Sequence, residues 1–231
     1  MLGMGLFGQL KRPVEEFSTK AGVVRITPVR HASLMIEAGG QVVHVDPFSQ
    51  GNYEGLPPAD LILITHTHAD HLDPRLLPKL RKTGTVIIAP ESVVKTVGDA
   101  TIIREGQSRD FGKWKIEAVA AYNVQRMRAP GQPYHEKGEG VGFVLNYGEK
   151  RFYISGDTEG VPEMRALKNI DVAFVCTSLP YTMPPEEAAE AVRAFAPKIV
   201  YPYHCLKSNL SAFEKALAGT KIEVRIRDWY Y

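Results

Sequence analysis

Three histidines and an aspartate fall within the six residues that follow an apolar run, in the stretch LILITHTHADHL (residues 61–72). Imidazole nitrogens and carboxylate oxygens are the donors that zinc, manganese and iron accept in proteins. If the strand continues through THTH, His66 and His68 point to the same side, because residues two apart share a face. Asp70 and His71 follow after the chain turns, so they address a second point. The spacing therefore predicts a cradle for two metal ions.

Two ions need more ligands than these four, and about three others should come from elsewhere in the chain. Three polar residues stand at the ends of other predicted elements: Asp157 in FYISGDT, His204 in IVYPYH and His135 in the loop QPYHEKGEG. Open α/β sheets place their ligands at the carboxyl ends of strands. The local pattern leaves other roles open, because Asp157 could form a turn, His204 could be an ordinary strand-end histidine and His135 could be a solvated loop residue.

Short strands and helices must position these residues, and the first half of the chain is mostly β-rich. Its predicted strands are VVRITPV (23–29), SLMIEA (33–38), QVVHVDPF (41–48), LILIT (61–65), TVIIA (85–89) and runs near 101–104 and 112–120. Gly39 and Gly40 predict a hairpin turn between two of them. Asp73 and Pro74 predict the N-cap and first turn of a helix that runs to Lys82. A short helix is expected near 91–97.

The second half repeats this alternation of strands and helices. Its predicted strands are GFVLNY (142–147), RFYISG (151–156), DVAFVC (171–176), KIVYPYH (198–204) and KIEVRIRDWY (221–230). Its predicted helices cover 162–168, 184–196 and 208–219. Two such halves predict an α/β fold, a four-layer αββα sandwich, which the many hairpins favour over one doubly wound sheet. Residues 1–22 are expected to form an N-terminal extension and residues 23–231 a single domain.

Composition narrows the classes of protein to consider. The 231 residues are 44% hydrophobic and 23% charged, which is typical of a soluble globular chain. A net charge of +2 offers no broad basic face, so nucleic acid is not an expected partner. No apolar run approaches the roughly 18 residues of a membrane span. The N-terminal charges follow the apolar part, unlike a secretory signal, so a cytoplasmic location is expected, with an amphipathic surface anchor as the alternative.

The order of the polar residues is similar to that of the metallo-β-lactamase superfamily. The matching positions are Asp46 at the end of an early strand, His66-x-His68-x-Asp70-His71, and then His135, Asp157 and His204. Within that superfamily, RHASLMIEAGGQVVHVDP, FYISGDTEGVPEM, PYTMPPEEAAEAV and RDWY resemble bacterial metal-dependent hydrolases near ascorbate-phosphate lactonases and N-acyl-phosphatidylethanolamine phospholipase D. Two features depart from the pattern: Cys205 follows the last histidine where an aromatic is expected, and CTSLPYTM replaces a stretch that often carries Asn before Pro-Tyr.

The resemblance implies the metallo-β-lactamase fold and a centre of two divalent ions, with zinc as the leading candidate and manganese or iron as alternatives. The implied ligands are His66, His68 and His135 for the first ion, Asp70, His71 and His204 for the second, and Asp157 for both. Asp46 is implied to support a ligand from behind, although a strand-end cap before Pro47 fits it equally well. His44 is expected to be a strand residue. His31 either lines the pocket or anchors a turn.

The implied chemistry is hydrolysis. A water shared by two divalent ions loses a proton near neutral pH, and the hydroxide attacks an ester, lactone, amide or phosphoester centre. Asp70 is implied to act in catalysis by orienting this nucleophile and accepting its proton. Two alternatives are kept: a non-catalytic metal-binding or sensing protein, which would be expected to lose ligands, and a di-iron redox enzyme of the same fold, which would usually carry Glu at position 68.

The substrate is expected to be a small molecule, with an anionic one favoured by the charges near His135. The loop NVQRMRAPGQPYHEKGEG must approach the ions if that histidine binds one. Candidate substrate contacts are Arg126, Arg128, Tyr134 and Lys137 in this loop, together with Tyr181 and Lys207 near other ligands. The alternative is that these are solvated side chains. Cys205 is expected to serve packing rather than chemistry. Assembly into a homo-oligomer stays open.

Overall fold

Two seven-stranded sheets and a two-stranded ribbon make up the strands of the chain, in a computed structural model that describes residues 12–230. The first sheet holds, in spatial order, β1 (Glu15–Thr19), β2 (Gly22–Arg30), β3 (Ser33–Ala38), β4 (Gln41–Val45), β5 (Ala59–Leu63), β6 (Arg81–Ala89) and β7 (Thr101–Ile102). Neighbours from β1 to β4 are antiparallel and neighbours from β4 to β7 are parallel. Gly39 and Gly40 form the predicted hairpin turn, both at positive φ.

The second sheet is built from the rest of the chain. Its strands and the ribbon that interrupts them are β8 (Ser108–Phe111), β9 (Trp114–Ala121), the ribbon β10 (Met127–Ala129) and β11 (Gln132–Pro133), β12 (Gly140–Tyr147), β13 (Lys150–Ile154), β14 (Val172–Cys176), β15 (Ile199–Tyr203) and β16 (Glu223–Val224). The helices are α1 (Leu77–Leu80), α2 (Glu91–Val97), α3 (Pro162–Arg165), α4 (Pro185–Phe195) and α5 (Leu210–Leu217). Strands β13 to β16 are parallel neighbours, so their carboxyl ends share one edge.

The side chains of β5 show how the first sheet is sandwiched. Leu61 and Leu63 are fully buried in the main core, which they share with side chains of the second sheet. Ile62 and Ile64 point the other way and pack with buried residues of α1 and α2 in a separate cluster. A strand buried on both faces reads as a continuous apolar run, which explains the sequence LILI.

Side chains that alternate along β13 show that the second sheet is likewise covered on both faces. The Phe152 ring lies 5.6 Å from the ring of Phe17 in β1, so it faces the first sheet. The Tyr153 ring lies 5.7 Å from that of Phe195 in α4, so it faces the outer helices. Helices therefore cover both outer faces, and the predicted αββα sandwich is confirmed.

The stretch expected to be an N-terminal extension is partly in the sheet. Residues 1–11 lie outside the described residues. Residues 15–19 form β1, which pairs antiparallel with β2 and buries Phe17. This strand was not predicted from the sequence, because EEFST carries only one large apolar residue. The burial of that residue depends on contacts with the second sheet.

The prediction of a helix from Asp73 to Lys82 is wrong. Asp73 accepts a hydrogen bond from the Arg75 backbone N–H and opens a turn, but α1 spans only Leu77–Leu80. Pro78 lacks an N–H and its ring crowds the carbonyl four residues earlier, so a helix beginning near residue 74 cannot continue through it. Strand β6 already begins at Arg81, before the predicted helix end.

Several other elements are also shorter than predicted. Helix α3 ends at Arg165 rather than at residue 168, and β16 covers only Glu223–Val224 of the expected strand over 221–230. Beyond β16 the chain leaves the sheet edge, and the Trp229 indole N–H donates to the Pro202 carbonyl at 2.8 Å. Among the residues described, 12–230, no helix has the length and apolarity needed to cross a membrane.

Candidate metal centre

Strands of both sheets end at the same edge, and the histidines and aspartates selected from the sequence lie there. His66 follows β5 in the first sheet, whereas Asp157 and His204 follow β13 and β15 in the second. The sheets approach closely at this point because Gly156, with φ +60, has no side chain. A Cβ on Gly156 would lie 3.0 Å from Cβ of Thr65. The approach lets ligands from the two sheets face one another.

Candidate ligand atoms form three groups, each with its atoms within 4.8 Å of one another, and two of the groups share His66. The groups are His66, His68 and His135; His66, His71 and Asp157; and His31, Asp70 and His204. They bring together all seven residues predicted as ligands. They also include His31, for which the sequence left two roles open: lining the pocket or anchoring a turn.

Asp157 lies between the groups. Its Oδ2 is 3.4 Å from His135 Nε2 and 3.4 Å from His204 Nε2, and its Oδ1 is 3.3 Å from His71 Nε2. His135 Nε2 is also 3.1 Å from His68 Nδ1. One carboxylate thus touches histidines that the sequence analysis divided between two ions, as a shared ligand must.

Three buried atoms of one group have no hydrogen-bond partner: His66 Nε2, His71 Nε2 and Asp157 Oδ1. Buried polar atoms are nearly always paired, so three unpaired atoms facing one another need an explanation. Divalent cations bound here would satisfy these atoms, and imidazole with carboxylate is a donor set that zinc, manganese and iron accept. The residues present therefore fit a metal.

Asp46 holds His71 from behind. Its Oδ2 accepts a hydrogen bond from His71 Nδ1 at 2.8 Å, and its Oδ1 accepts one from the Thr65 backbone N–H at 2.7 Å. The Thr65 hydroxyl donates to Oδ2 at 2.8 Å, and Asp46 is fully buried. Because Asp46 holds a proton of His71 on Nδ1, the Nε2 lone pair of the neutral imidazole would face the other ligands.

Asn123 does the same for His135, and the sequence analysis missed it. Its Oδ1 lies 2.6 Å from His135 Nδ1 and accepts from the His135 backbone N–H at 2.9 Å. Its amide nitrogen donates to Glu159 Oε1 and to the Tyr181 carbonyl, which fixes the amide orientation. Buried Glu159 also accepts the backbone N–H groups of residues 124–126. The available signal was position, since Asn123 follows β9 at the same edge.

Burial and charge set the protonation of the centre. Burial lowers the pKa of His66 well below its usual value and lowers that of His68, so both imidazoles are neutral. Burial alone would raise the pKa of Asp157, but His204 and His71 hold it well below its usual value. Neutral imidazoles and ionised carboxylates are the forms that bind metals. His71 differs, because Asp157 and Asp46 raise its pKa despite burial, and a cation there would displace a proton.

A cleft of 690 Å³ opens over the centre, and three of the six candidate substrate contacts line it: Arg128, Tyr134 and Tyr181. The residues of the wall that were not predicted as substrate contacts include Arg30, His31, Phe48, Gln50, Leu206 and Tyr230. His31 both lines the cleft and forms a turn, with φ +60 between β2 and β3. No local sequence signal marks the others, because they meet only when distant segments pack together.

The structure places the other three candidate contacts outside this cleft. Arg126 pairs with Glu187 at 2.6 Å and Lys137 pairs with Glu163 at 2.6 Å. Lys207 lines a separate cavity of 380 Å³. The expectation that these three cations face the substrate is thus not met in this structure, because partners from other segments hold two of them elsewhere.

The remaining histidine and the cysteines lie apart from the chemistry. His44 is buried in β4, with Nε2 3.0 Å from the Pro57 carbonyl, as expected for a strand residue. Burial raises the pKa of the Cys205 thiol to about 11 and that of Cys176 to about 12. Both thiols are free and buried, which agrees with a packing role for Cys205.

Comparison with known proteins identifies the family. A family model described as a β-lactamase superfamily domain matches residues 25–204, a range that contains every predicted ligand. The chain belongs to the metallo-β-lactamase superfamily. A UPF0173 metal-dependent hydrolase of Thermococcus kodakarensis is 29% identical to it, over 88% of this chain and 96% of that protein.

Solved structures of the superfamily agree with this fold. A protein of Parabacteroides distasonis, named by inference as a metal-dependent hydrolase, is 41% identical, with a TM-score of 0.89 over 94% of this chain and 98% of its own. The metallo hydrolase Igni18 of Ignicoccus hospitalis has a TM-score of 0.75 at 21% identity, over 90% of this chain and 96% of its own. The Parabacteroides distasonis protein supports the family assignment, and Igni18 shows that the fold is shared.

Proposed function

We propose that this metal-dependent hydrolase of the metallo-β-lactamase superfamily cleaves a small ester, lactone or phosphodiester, and that it uses two divalent metal ions. One observation carries the proposal: buried atoms of His66, His71 and Asp157 have no hydrogen-bond partner and face one another beneath a 690 Å³ cleft. Zinc suits these donors best, and manganese and iron suit them as well.

The ligand assignment is the one that the family resemblance implies. We assign His66, His68 and His135 to one ion, Asp70, His71 and His204 to the other, and Asp157 to both. When bound, the ions would lower the pKa of a shared water and polarise the oxygen of the scissile group. Asp46 and Asn123 would hold their histidines with Nε2 facing the ions.

Asp70 is the carboxylate that can meet the substrate. Its side chain is 38% exposed, against 3% for Asp157. Burial alone would raise the pKa of Asp70, but hydrogen bonds from His204 and His31 lower it, so the group is ionised and can accept a hydrogen bond from water. We assign to Asp70 the role of orienting the attacking water and, as the family resemblance implies, of receiving its proton.

The charge of the cleft supports an anionic substrate. Apart from Asp70 and Asp157 of the centre, the charged residues that line it are Arg30 and Arg128, within the described part of the chain. Guanidinium groups bind phosphate and carboxylate oxygens through directed hydrogen bonds. Small phosphodiesters and lactones that carry a carboxylate or phosphate are accordingly the first compounds to screen.

The test is metal content per chain, measured by mass spectrometry on protein purified without a metal-affinity tag. We expect about two ions in the wild type and fewer in Asp157→Ala and His135→Ala. His44→Ala is the matched control, because it removes a buried histidine outside the centre and should keep the wild-type content. One ion or none in the wild type, or the same content in all four proteins, would contradict the binuclear assignment.

Activity is tested on the same proteins with a panel of small esters, lactones and phosphodiesters, each in neutral and anionic forms. Loss of an outer partner of a metal ligand costs about 10–100-fold, so loss of the ligand itself should cost more than that. We expect hydrolysis to fall by more than 100-fold in Asp157→Ala while His44→Ala retains it. A folded, metal-loaded wild type that hydrolyses none of the panel would remove these substrate classes from the proposal.

A further inference from the structure

We propose that Tyr230 and His31 form a hydrogen-bond relay that positions Asp70, with His31 as a donor to that carboxylate and not as a ligand of the second ion. This inference rests on the proposed function in one respect, the assignment of Asp70 to the centre. Its geometric basis is independent of that assignment. His31 Nδ1 is 2.7 Å from the Tyr230 hydroxyl, and His31 Nε2 is 3.1 Å from Asp70 Oδ2.

The backbone of His31 is clamped in an unfavourable conformation. Its φ of +60 lies in the left-handed region, which is unfavourable for a non-glycine residue. Its N–H donates to the Trp229 carbonyl at 2.9 Å, and its carbonyl accepts from the His204 N–H at 3.3 Å. The ring is buried, with its centroid 3.8 Å from that of His204. Such strain persists only where several contacts hold it, which marks this turn as a functional feature.

The hydroxyl of Tyr230 determines which nitrogen of His31 carries the proton. The Leu206 backbone N–H donates to this oxygen at 2.7 Å and occupies one of its lone pairs. The single hydroxyl proton is then available to His31 Nδ1, and in that arrangement Nδ1 presents a lone pair. A neutral imidazole with a lone pair on Nδ1 carries its proton on Nε2.

The other end of the ring requires the same tautomer. An ionised carboxylate only accepts hydrogen bonds, so the contact with Asp70, shorter than that of His204 Nε2 at 3.3 Å, is a hydrogen bond when His31 Nε2 carries the proton. A lone pair on Nε2 would instead lie 3.1 Å from a negatively charged oxygen. Both ends of the relay therefore agree: Tyr230 donates to Nδ1, and Nε2–H donates to Asp70.

This tautomer decides between two interpretations of the donor group His31, Asp70 and His204. Those three residues bring their donor atoms within 4.8 Å, which by itself would fit a cation with three protein ligands. With its proton on Nε2, His31 has no lone pair to offer there. It acts instead as a positioning residue, which matters because Asp70 is in the most exposed part of the centre, with 38% of its side chain accessible.

Nitrogen-15 NMR of the histidine rings in metal-free protein tests the tautomer directly, because protonated and unprotonated ring nitrogens have separate shifts. His31→Gln identifies the His31 signals by their loss. We expect a protonated Nε2 and an unprotonated Nδ1 in the wild type, and a mixture of tautomers in Tyr230→Phe. Tyr181→Phe, another cleft tyrosine, is the matched control and should keep the wild-type pattern. A protonated Nδ1 in the wild type, or an unchanged pattern in Tyr230→Phe, would overturn the relay.

Metal affinity provides the second readout, through competition with a chromophoric zinc chelator. Outer partners of ligands typically contribute 10–100-fold to affinity. We expect His31→Ala and Tyr230→Phe to weaken the second zinc by about 10-fold or more, with Tyr181→Phe unchanged. Equal affinity in all proteins would contradict the relay. If the wild type binds fewer than two ions, the proposed function fails, yet the metal-free NMR result still decides the tautomer.

Discussion

Two candidate ligands, His71 and His135, are each held in orientation by a buried residue that does not line the cleft. Asp46 fixes the first and Asn123 fixes the second, in each case by binding Nδ1. The two supports differ in charge, because one is a carboxylate and the other an amide oxygen. A carboxylate raises the basicity of its histidine more than an amide does, so the two ions should differ in how strongly they are held.

Removing the amide should weaken one ion. We expect Asn123→Ala to lower the affinity of the ion bound by His135 by about 10–100-fold, because the imidazole loses the partner that fixes its tautomer and orientation. Chelator competition measures this affinity. Asn146→Ala is the control, since Asn146 hydrogen-bonds Lys115 and Glu117 in the second sheet. Equal losses in both variants would mean that the effect is not local to His135.

The cysteines should be inert while the chain is folded. Burial raises the pKa of Cys205 to about 11 and of Cys176 to about 12. The thiolate is the reactive form, so at pH 8 both should react with a disulfide reagent more than about 100-fold slower than a free thiol. Absorbance of the released thiolate follows the reaction. Denatured protein should give two fast thiols, and a fast phase in the folded protein would contradict the expected burial.

The central ligands could be predicted from the sequence because they lie close together along the chain. His66, His68, Asp70 and His71 lie in one short stretch, so their type and order carried the signal. Partners separated along the chain could not be predicted in the same way. Arg126 was expected to face the substrate, but it pairs with Glu187, which no local pattern connects to it.

Gly156 connects the packing of the sheets to the position of Asp157. We expect Gly156→Ala to lower the free energy of unfolding by about 1–3 kcal/mol, because a Cβ would crowd Thr65 at a backbone φ of +60. It should also reduce bound metal. Gly55→Ala is the matched control: φ is +73 there and nothing lies within 4 Å of an added Cβ. Urea denaturation of both variants separates backbone strain from crowding, and equal losses would show that the close approach is unimportant.

Strand β1 is tied to the second sheet by Glu15. Its carboxylate accepts hydrogen bonds from the Tyr201 hydroxyl at 2.8 Å and from Arg225 at 3.0 Å, and Arg227 also binds it. Burial opposes the charge, but these contacts lower the pKa of Glu15 overall. A carboxyl whose folded-state pKa is lowered stabilises the fold above its unfolded pKa of about 4.3, and this contribution is lost as the pH falls.

The corresponding substitution should depend on pH. We expect Glu15→Gln to lower the free energy of unfolding by about 1–3 kcal/mol at pH 7, with the difference from wild type shrinking below about pH 4. Urea denaturation at several pH values measures it. Glu16→Gln removes an exposed pair with Arg25 and should change stability by less than about 0.5 kcal/mol. A difference that stays constant down to pH 3 would exclude the titration of Glu15 as its cause.

Strand and helix types were mostly predictable, whereas their ends were not. The alternation of runs gave the αββα class because each sheet must bury both faces. The helix predicted after Asp73 is wrong because Pro78 interrupts it despite the capping signals at its start. Strand β1 was not predicted because its burial depends on contacts with the second sheet. The first error overlooked a local signal, Pro78, whereas the second concerns contacts that a local pattern does not contain.

Ligands from both sheets imply that bound metal stabilises the whole molecule. His66 follows a strand of one sheet and Asp157 a strand of the other, so a shared ion would join the halves of the sandwich. A ligand of the native state at 100 times its Kd adds about 2.7 kcal/mol. We expect a chelator to lower the Tm of the wild type and to leave Asp157→Ala unchanged. Equal shifts in both proteins would indicate metal bound elsewhere.

The distance along the chain between His31 and Tyr230 has a consequence for biosynthesis. The two residues are 199 positions apart, yet one hydrogen bond joins them. At about 5–20 residues per second, a ribosome needs roughly 10–40 s to add the second after the first. For most of that interval the histidine motif is already made, while the Tyr230 hydroxyl that orients His31 is still missing. A growing polypeptide therefore exposes a metal-attracting motif well before the relay behind Asp70 can close.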